Sequence, residues 1–146
     1  MSRYSVVCVC IMVKCNIVYQ GGLHCELEHG PSGARVSTDA PTDNHGKGEA
    51  FSPTDLMCSA TAACMSTIMG IYAQEHGVNL EGMRLEVTKV MSANPRRIAR
   101  IEIDIYVPLP SDTPHRAALE DCALGSPAMR SLHPEIEVPL RWHWKD

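Results

Sequence analysis

Residues 56–74 form a stretch of nineteen positions without a charged side chain, and this stretch constrains the fold more than any other feature of the chain. It follows the segment Ser-Pro-Thr-Asp at residues 52–55, which favours a helix start. Its alanines and methionines lie on all sides of a helix rather than along one stripe, so we expect a long helix surrounded by protein. Cys64, near its middle, is the first candidate for chemistry.

A membrane span is the alternative interpretation, since about twenty apolar residues cross a bilayer. Small and polar residues dilute the hydrophobicity of the stretch, and no basic cluster flanks it to fix an orientation. These diluting residues are Ser59, Thr61, Ser66, Thr67 and Gly70. We therefore expect no membrane partner.

Length and charge narrow the class of protein. A chain of 146 residues is long enough for one domain that buries about two-thirds of its unfolded surface. The formal net charge of -4, with scattered lysines and arginines, provides no basic face, so no nucleic acid partner is expected.

The cysteines are odd in number and unevenly spaced, which favours reduced thiols in the cytoplasm over a disulfide framework. They are Cys8, Cys10, Cys15, Cys25, Cys58, Cys64 and Cys122. Soft metal ligands are present at Cys8, Cys10, Cys25, His24 and His29, but they lack the paired spacing of a zinc site. Neither a metal nor another cofactor is therefore expected.

The first eleven residues resemble a secretory signal in having an arginine before a short apolar run, but no small-residue cleavage site follows. Strand-like alternation is already present by Cys15. We interpret residues 1–11 as an extension outside the fold and residues 12–146 as a single domain.

The rest of the chain alternates between strand and helix patterns. Strands are expected at residues 15–19, 23–28 and 34–38 as an antiparallel meander, followed by a loop at 39–50 that could act as a lid. After the long helix, residues 83–88 and 101–107 should pair as a hairpin.

Further along the chain, Asp112 or Thr113 is expected to cap a helix that has Pro114 at its first position and runs to Gly125. Ser126 should start a short second helix, and a last strand is expected at residues 136–144. This order of elements predicts an α+β fold.

Three segments resemble the OsmC/Ohr family, the osmotically inducible and organic hydroperoxide resistance proteins. They are GEAFSPTDL at residues 48–56, AACM at residues 62–65 and SPAMRSL at residues 126–132. The resemblance extends from about Met12 onward. It implies antiparallel strands packed on a long buried central helix, and an intertwined homodimer with two active sites at the subunit interface.

The resemblance also implies a site built on two cysteines. One matches Cys64, and the other opens a helix as Cys-Pro, where this chain has Ser126 before Pro127. In the family, a peroxide oxidises a thiolate, a disulfide forms, and a dithiol reductant restores the thiols. A hydroxyl has no accessible anion at neutral pH, so Ser126 is interpreted as a helix cap.

The charges that assist the family's thiol also differ here. The family's glutamate falls on Thr54, while Asp55 follows one residue later and points about 100° further round a helix. The family's arginine comes from the first strand turn, where this chain has residues 22–24. His24 and Arg35 are the candidates to replace it.

Cys122 leaves two interpretations open. It lies four residues before Ser126, so in a continuous helix the two side chains would share a face about 5.4 Å apart. Gly125 and Pro127 argue against such continuity. Cys122 is therefore either a relocated partner of Cys64 or a small apolar side chain in the core.

Two functions remain possible on the sequence alone. The first is thiol-dependent reduction of organic hydroperoxides in oxidative-stress defence, with candidate site residues Cys64, Cys122, Ser126 and Asp55. The second is a non-catalytic dimeric module that binds a small apolar or thiol-containing ligand, with Cys64 as an inert core residue.

Overall fold

The computed structural model describes residues 12–146, so the predicted extension at residues 1–11 lies outside the described residues. The described chain divides into two compact units, one ending at Pro53 and the other spanning Thr54–Asp146. The first contains β1 (Cys15–Gly21), β2 (His24–His29), β3 (Arg35–Asp39) and a 3-10 turn (Thr42–Asn44). The second contains nearly all of α1 (Pro53–Glu75), then β4 (Arg84–Ala93), β5 (Arg96–Pro110), α2 (Arg116–Leu124), α3 (Pro127–Arg130) and β6 (Leu140–Lys145).

The first unit is the predicted antiparallel meander. Its strands pair in the order β1-β2-β3, with Ile17 opposite Leu27 and Leu27 opposite Val36. The turn between β1 and β2 needs left-handed backbone, which Gly21 (φ 86°) and Gly22 (φ 59°) supply without a steric cost. The prediction of a hairpin at this glycine pair is confirmed.

The first unit leaves its apolar side chains exposed. Ile17 and Val18 point to opposite faces of β1, and their exposed fractions are 60% and 58%. Among its described residues, the fully buried positions are polar and include Thr38 and Asp39. A three-stranded sheet without an apolar core is not stable alone, so this unit needs apolar cover.

The second unit contains a three-stranded sheet in the order β4-β5-β6. The hairpin of β4 and β5 confirms the sequence prediction, and the inward face of β5 is fully buried at Ile101, Ile103 and Ile105. β6 departs from the antiparallel expectation, because it runs parallel to β5. The connection between β5 and β6 contains α2 and α3. It returns the chain to the end of the sheet at which β5 begins, as a parallel pair of strands requires.

The long helix α1 begins at Pro53, as predicted, and its end follows from Gly77. The N–H of Val78 donates to the carbonyl of Ala73 at 2.8 Å, across a glycine with φ 64°. This is the Schellman arrangement, in which a left-handed glycine lets the chain turn back on the last helical carbonyls.

Only one face of α1 is fully buried in the described chain, whereas the sequence predicted cover on all sides. The buried positions recur at helical spacing and are Cys58, Thr61, Ala62, Met65, Met69 and Ala73. All of them except Thr61 and Ala73 belong to the core cluster, which also contains residues of the sheet and of α2. The opposite face is exposed at Met57, Ala60, Ala63, Thr67 and Ile71. The sheet and α2 pack against one side of the helix. Nothing in this core packs against the other side.

In the described residues, α1 is the one helix long and apolar enough to cross a membrane, with a mean hydropathy of 1.4. Core helices of soluble proteins have the same composition. Met65 and Met69 lie fully buried in the core of the second unit, so packing accounts for the apolar residues on that face of α1.

The two short helices differ from the prediction at the start of α2. α2 begins at Arg116 after His115, rather than directly at Pro114. The N-cap of α2 is His115, which makes no side-chain cap hydrogen bond, so the prediction that Asp112 or Thr113 caps this helix is wrong. The Thr113 hydroxyl instead accepts a hydrogen bond from the His115 N–H in the preceding turn, at 3.4 Å. α3 begins at Pro127 with Ser126 as its N-cap, as predicted.

Candidate functional site

Cys64 lies in the middle of α1 and is half-buried. It borders the exposed face of the helix, next to Ala63, and it is not part of the core cluster. Since a thiol must reach a peroxide or an external thiol to react with it, this intermediate exposure is what a reacting cysteine requires.

Cys58 is the second thiol of the helix, and its environment is different. It is 2% exposed and belongs to the core cluster. Burial raises the pKa of the Cys58 thiol, Lys89 partly opposes this, and Asp55 adds to it. Six helical residues separate Cys58 from Cys64, which places the two side chains about 120° apart around the axis. The structure therefore makes Cys58 a packing residue.

A polar cluster lies beside Cys58 at the start of α1. The Nζ of Lys89 lies 2.6 Å from Oδ1 of Asp55 and donates a hydrogen bond to Oγ1 of Thr54 at 2.9 Å. Lys89 comes from β4, and only 17% of its side chain is exposed. Thr54 matches the family's glutamate position, and Asp55 follows it. The Lys89 ammonium group contacts both side chains.

Sequence reasoning missed Lys89, although a signal was present. On β4, Leu85 and Val87 point into the core, and strict alternation places Lys89 on the same inward face. An inward lysine on an otherwise apolar strand face needs a carboxylate nearby, because burying an ammonium group without a partner is costly. The first turn of α1 supplies that carboxylate as Asp55.

Cys122 is half-buried and packs against the core cluster. Burial raises the pKa of the Cys122 thiol, and the charges of Asp121 and Glu75 raise it further. Glu75 is in the last turn of α1, eleven residues after Cys64, a separation of about 16 Å along the helix axis. These surroundings match the core alternative proposed for Cys122.

Ser126 is fully buried and acts as the N-cap of α3. Its Oγ accepts a hydrogen bond from the Met129 N–H at 3.3 Å. α2 ends at Leu124 and Gly125 separates the two helices, so Cys122 and Ser126 do not share a continuous helical face. The geometry expected for a helix cap is present.

The two candidates for an activating cation, His24 and Arg35, both have carboxylate partners within the first unit. The Nδ1 of His24 pairs with Oδ1 of the buried Asp39, whose other oxygen accepts the Glu49 N–H at 2.9 Å. The hydrogen bond from His24 lowers the pKa of the Asp39 carboxyl, although burial opposes this. Arg35 bonds Glu28 at 2.8 Å across the β2–β3 ladder.

Within residues 12–146, no group of three or more histidine, cysteine, aspartate or glutamate side chains could hold a metal ion.

The fold and Cys64 define the class of the protein, an α+β domain with a half-buried thiol in a long apolar helix. Comparison with known proteins identifies the family. The family model described as OsmC-like protein matches residues 46–141. A Psychrobacter arcticus 273-4 protein, named for osmotic stress induction and a detoxification response, is 41% identical over 90% of this chain and 96% of its own, with a TM-score of 0.86. The chain therefore belongs to the OsmC-like protein family.

More distant solved structures share the fold. A Legionella pneumophila organic hydroperoxide resistance protein OsmC is 15% identical, covers 91% of this chain and 97% of its own, and has a TM-score of 0.74. A Vibrio cholerae protein named for organic hydroperoxide resistance, with captopril bound in one of its active sites, is 17% identical over 97% and 95%, with a TM-score of 0.72. No curated protein matched the chain.

Proposed function

We propose that this protein reduces organic hydroperoxides in oxidative-stress defence, with Cys64 as the reacting thiol. The Cys64 thiolate attacks a peroxide oxygen and the O–O bond breaks. With one proton taken up, the products are a sulfenic acid on Cys64 and an alcohol. The family membership of the chain and the names of the Legionella and Vibrio relatives support this class of substrate.

The observation that carries the proposal is the contrast among the three cysteines of the second unit. Cys58 and Cys122 pack in or against the core and have raised thiol pKa values, both of which disfavour the reactive thiolate. Cys64 is half-buried and lies outside that core, and by the resemblance of residues 62–65 to the family's motif it corresponds to the family's helix cysteine.

An external thiol completes the cycle. Ser126 stands in place of the second cysteine and has no sulfur, so it forms no disulfide; its hydroxyl caps α3. One thiol of a dithiol reductant condenses with the sulfenic acid, releasing water and forming a mixed disulfide on Cys64. The second thiol of the reductant then displaces Cys64 as a thiolate and leaves as an oxidised, cyclic disulfide.

A homodimer is part of the proposal. The exposed face of α1 carries Met57 and Ile71 at 53% and 48% exposure, and the sheet of the first unit exposes Ile17 and Val18. Exposed apolar patches mark interaction surfaces. We assign the cover to a second copy of the chain, which would also bring apolar walls to Cys64. A reducing, cytoplasmic compartment fits the unpaired cysteines of the described chain.

The test is consumption of cumene hydroperoxide with dithiothreitol as the dithiol. Wild type and Cys58→Ser are expected to consume peroxide at similar rates, and Cys64→Ser is expected to fall to the uncatalysed background. A wild-type rate equal to background, or full activity in Cys64→Ser, would contradict the proposal.

The second candidate function is a dimeric module that binds a small apolar or thiol-containing ligand without turnover. Two observations favour it: Ser126 stands in place of the second thiol, and both candidate activating cations are bound to carboxylates. Mass spectrometry of protein isolated from its source would separate the two functions. A thiol adduct on Cys64 without peroxide turnover supports the module, and an unmodified, ligand-free protein argues against it.

A further inference from the structure

Two histidine rings meet at the C-terminal end of α1, and both are bonded to Tyr72. The Nδ1–H of His76 donates to the Tyr72 carbonyl at 2.8 Å, and the His76 ring stacks on the Tyr72 ring with the ring centres 4.0 Å apart. His115 is the N-cap of α2, and its Nδ1 lies 3.0 Å from the Tyr72 hydroxyl. One residue of α1 therefore orients both imidazole rings.

These contacts leave the second nitrogen of each ring available. A carbonyl oxygen can only accept a hydrogen bond, so the neutral His76 ring carries its proton on Nδ1 and a free electron pair on Nε2. The Tyr72 hydroxyl oxygen can accept the Nδ1–H of His115 in the same way. Within residues 12–146, neither Nε2 has a hydrogen-bond partner. An Nδ1–H that donates to a protein oxygen is the contact that orients histidines for metal binding through Nε2.

The two rings are close enough to share one metal ion. Their centres lie 6.2 Å apart, with the ring planes at 65°. Since a metal–nitrogen bond of about 2.1 Å puts the ion about 3.2 Å from a ring centre, two rings can share an ion when their centres lie within about 6.5 Å. A tetrahedral angle at the ion needs about 5.2 Å, so the exposed His76 side chain has to move by about 1 Å.

The surroundings of the two rings favour a cation. The C-terminal end of α1, at Glu75, is the negative end of the helix dipole. The Glu75 carboxylate also contributes to raising the pKa of the Cys122 thiol, so its negative charge acts across the space between α1 and α2. The cation next to His115, Arg116, is paired with Glu120 at 2.9 Å.

We propose that His76 and His115 bind one divalent transition-metal ion, such as zinc, through their Nε2 atoms. Imidazole nitrogens suit zinc, copper and nickel ions. Water molecules complete the coordination, because two histidines are fewer than the protein ligands that zinc sites usually have. The bound ion joins the end of α1 to the start of α2.

This site is separate from Cys64. Twelve helical residues place His76 about 18 Å further along the axis of α1. His76 follows the fully buried Met69 by seven residues, so it lies on the same side of the helix, away from the exposed face to which we assign a second copy. The metal site therefore depends neither on the peroxidase proposal nor on the homodimer.

The test is a zinc chloride titration of the reduced, ¹⁵N-labelled full chain, followed at the histidine ring nitrogens by long-range ¹H–¹⁵N NMR. This measurement distinguishes zinc bound to a histidine from zinc bound to a cysteine. The Nε2 resonances of His76 and His115 should shift together and saturate with one common dissociation constant. His76→Gln should weaken zinc binding at His115 at least about tenfold, because the second ring otherwise acts at a high effective concentration.

His133 is the matched control. Its Nδ1 accepts a hydrogen bond from the Glu135 N–H at 3.2 Å, which places the proton of the neutral ring on Nε2. Its ring resonances should stay in place, and His133→Gln should leave zinc binding by the other two rings unchanged. Cys64→Ser should also leave it unchanged, so this result is independent of peroxide turnover.

His76 is exposed, so its substitution should not disturb folding, which the unchanged amide spectrum of His76→Gln verifies. The proposal is overturned if the two Nε2 resonances do not shift, or if they shift with different dissociation constants. It is also overturned if His76→Gln leaves zinc binding at His115 as tight as in the wild type.

Discussion

Lys89 on β4 forms an ion pair with Asp55 in the first turn of α1, with 2.6 Å between Nζ and Oδ1. The two partners are unequally buried, since 17% of the Lys89 side chain is exposed compared with 41% of Asp55. The pair joins the edge strand of the second sheet to the start of the helix that carries Cys64. An inward charge on an edge strand also discourages unwanted strand pairing.

The unequal burial predicts unequal effects of substitution. Asp55→Asn should lower the free energy of unfolding by about 1–2 kcal/mol, because the neutral amide no longer balances the charge of the mostly buried Lys89 ammonium. Lys89→Met should cost less than about 1 kcal/mol, because water can solvate the half-exposed carboxylate that remains. Urea unfolding measures both, and Arg116→Gln, in an exposed pair with Glu120, serves as the control with a change within about 0.5 kcal/mol. The reverse order of the first two variants would contradict this account.

Ser126 is expected to matter for stability and not for turnover. Ser126→Ala removes the cap of α3 and should cost about 0.5–2 kcal/mol, while the rate of peroxide consumption per folded protein stays unchanged. Ser131→Ala removes an exposed hydroxyl that donates to the Pro127 carbonyl, and is the matched control with a smaller cost. Loss of turnover in folded Ser126→Ala would show that the hydroxyl has a chemical role.

The contribution of Asp39 to stability should depend on pH in the acid range. The pKa of its carboxyl is lowered from 3.8, chiefly by the hydrogen bond from His24, so its stabilising effect is fully present above about pH 5. This effect should be lost as the pH falls below about 4 and through the lowered pKa of the folded state. Unfolding curves of wild type and Asp39→Asn should therefore differ at pH 7 and converge towards pH 3. Asp112→Asn, at an exposed position, should show no such convergence.

The cysteines of the second unit should react with an alkylating agent in a fixed order. Cys64 is expected to be labelled before Cys122, because Cys122 packs against the core cluster and burial raises the pKa of its thiol. Cys58 is expected last, because it belongs to that cluster and is 2% exposed. Native-state labelling with iodoacetamide, followed by peptide mapping, reports each site separately. Equal or faster labelling of Cys58 would mean that the start of α1 opens readily.

Residues 1–11 are predicted to lie outside the fold. A chain that starts at Met12 should keep the melting temperature of the full chain, within about 1 °C, since surface changes away from packed groups cost little. Differential scanning calorimetry of the two chains tests this. A loss of several degrees would place the segment within the folded structure.

The sequence predicted the elements whose pattern is local. The alternation of Ile101, Ile103 and Ile105 identified a half-buried strand, and Ser126 with Pro127 identified a helix start, because each depends on neighbouring residues alone. The parallel direction of β6 depends on where α2 and α3 pack, which no local pattern encodes. The described chain covers one face of α1, and cover of the other face by a second copy stays a prediction, because alanines and methionines suit a core or an interface equally well.

The candidate site was predictable only in part. Cys64 was identified by its position in the motif, and the capping role of Ser126 by residue type. The ion pair of Lys89 with Asp55 joins residues far apart in sequence. Strand alternation gave the face on which each side chain lies, but the partner depended on strand register, which the sequence left open.

Trapping of the sulfenic acid tests the central claim most directly. Wild-type protein is treated with one equivalent of cumene hydroperoxide in the presence of dimedone, which captures sulfenic acids, and the modified peptide is identified by mass spectrometry. We expect the adduct on Cys64 within the time of peroxide consumption, and none on Cys58 or Cys122. Peroxide consumption with no adduct on Cys64, or with the adduct on Cys122 instead, would contradict the assignment of Cys64 as the reacting thiol.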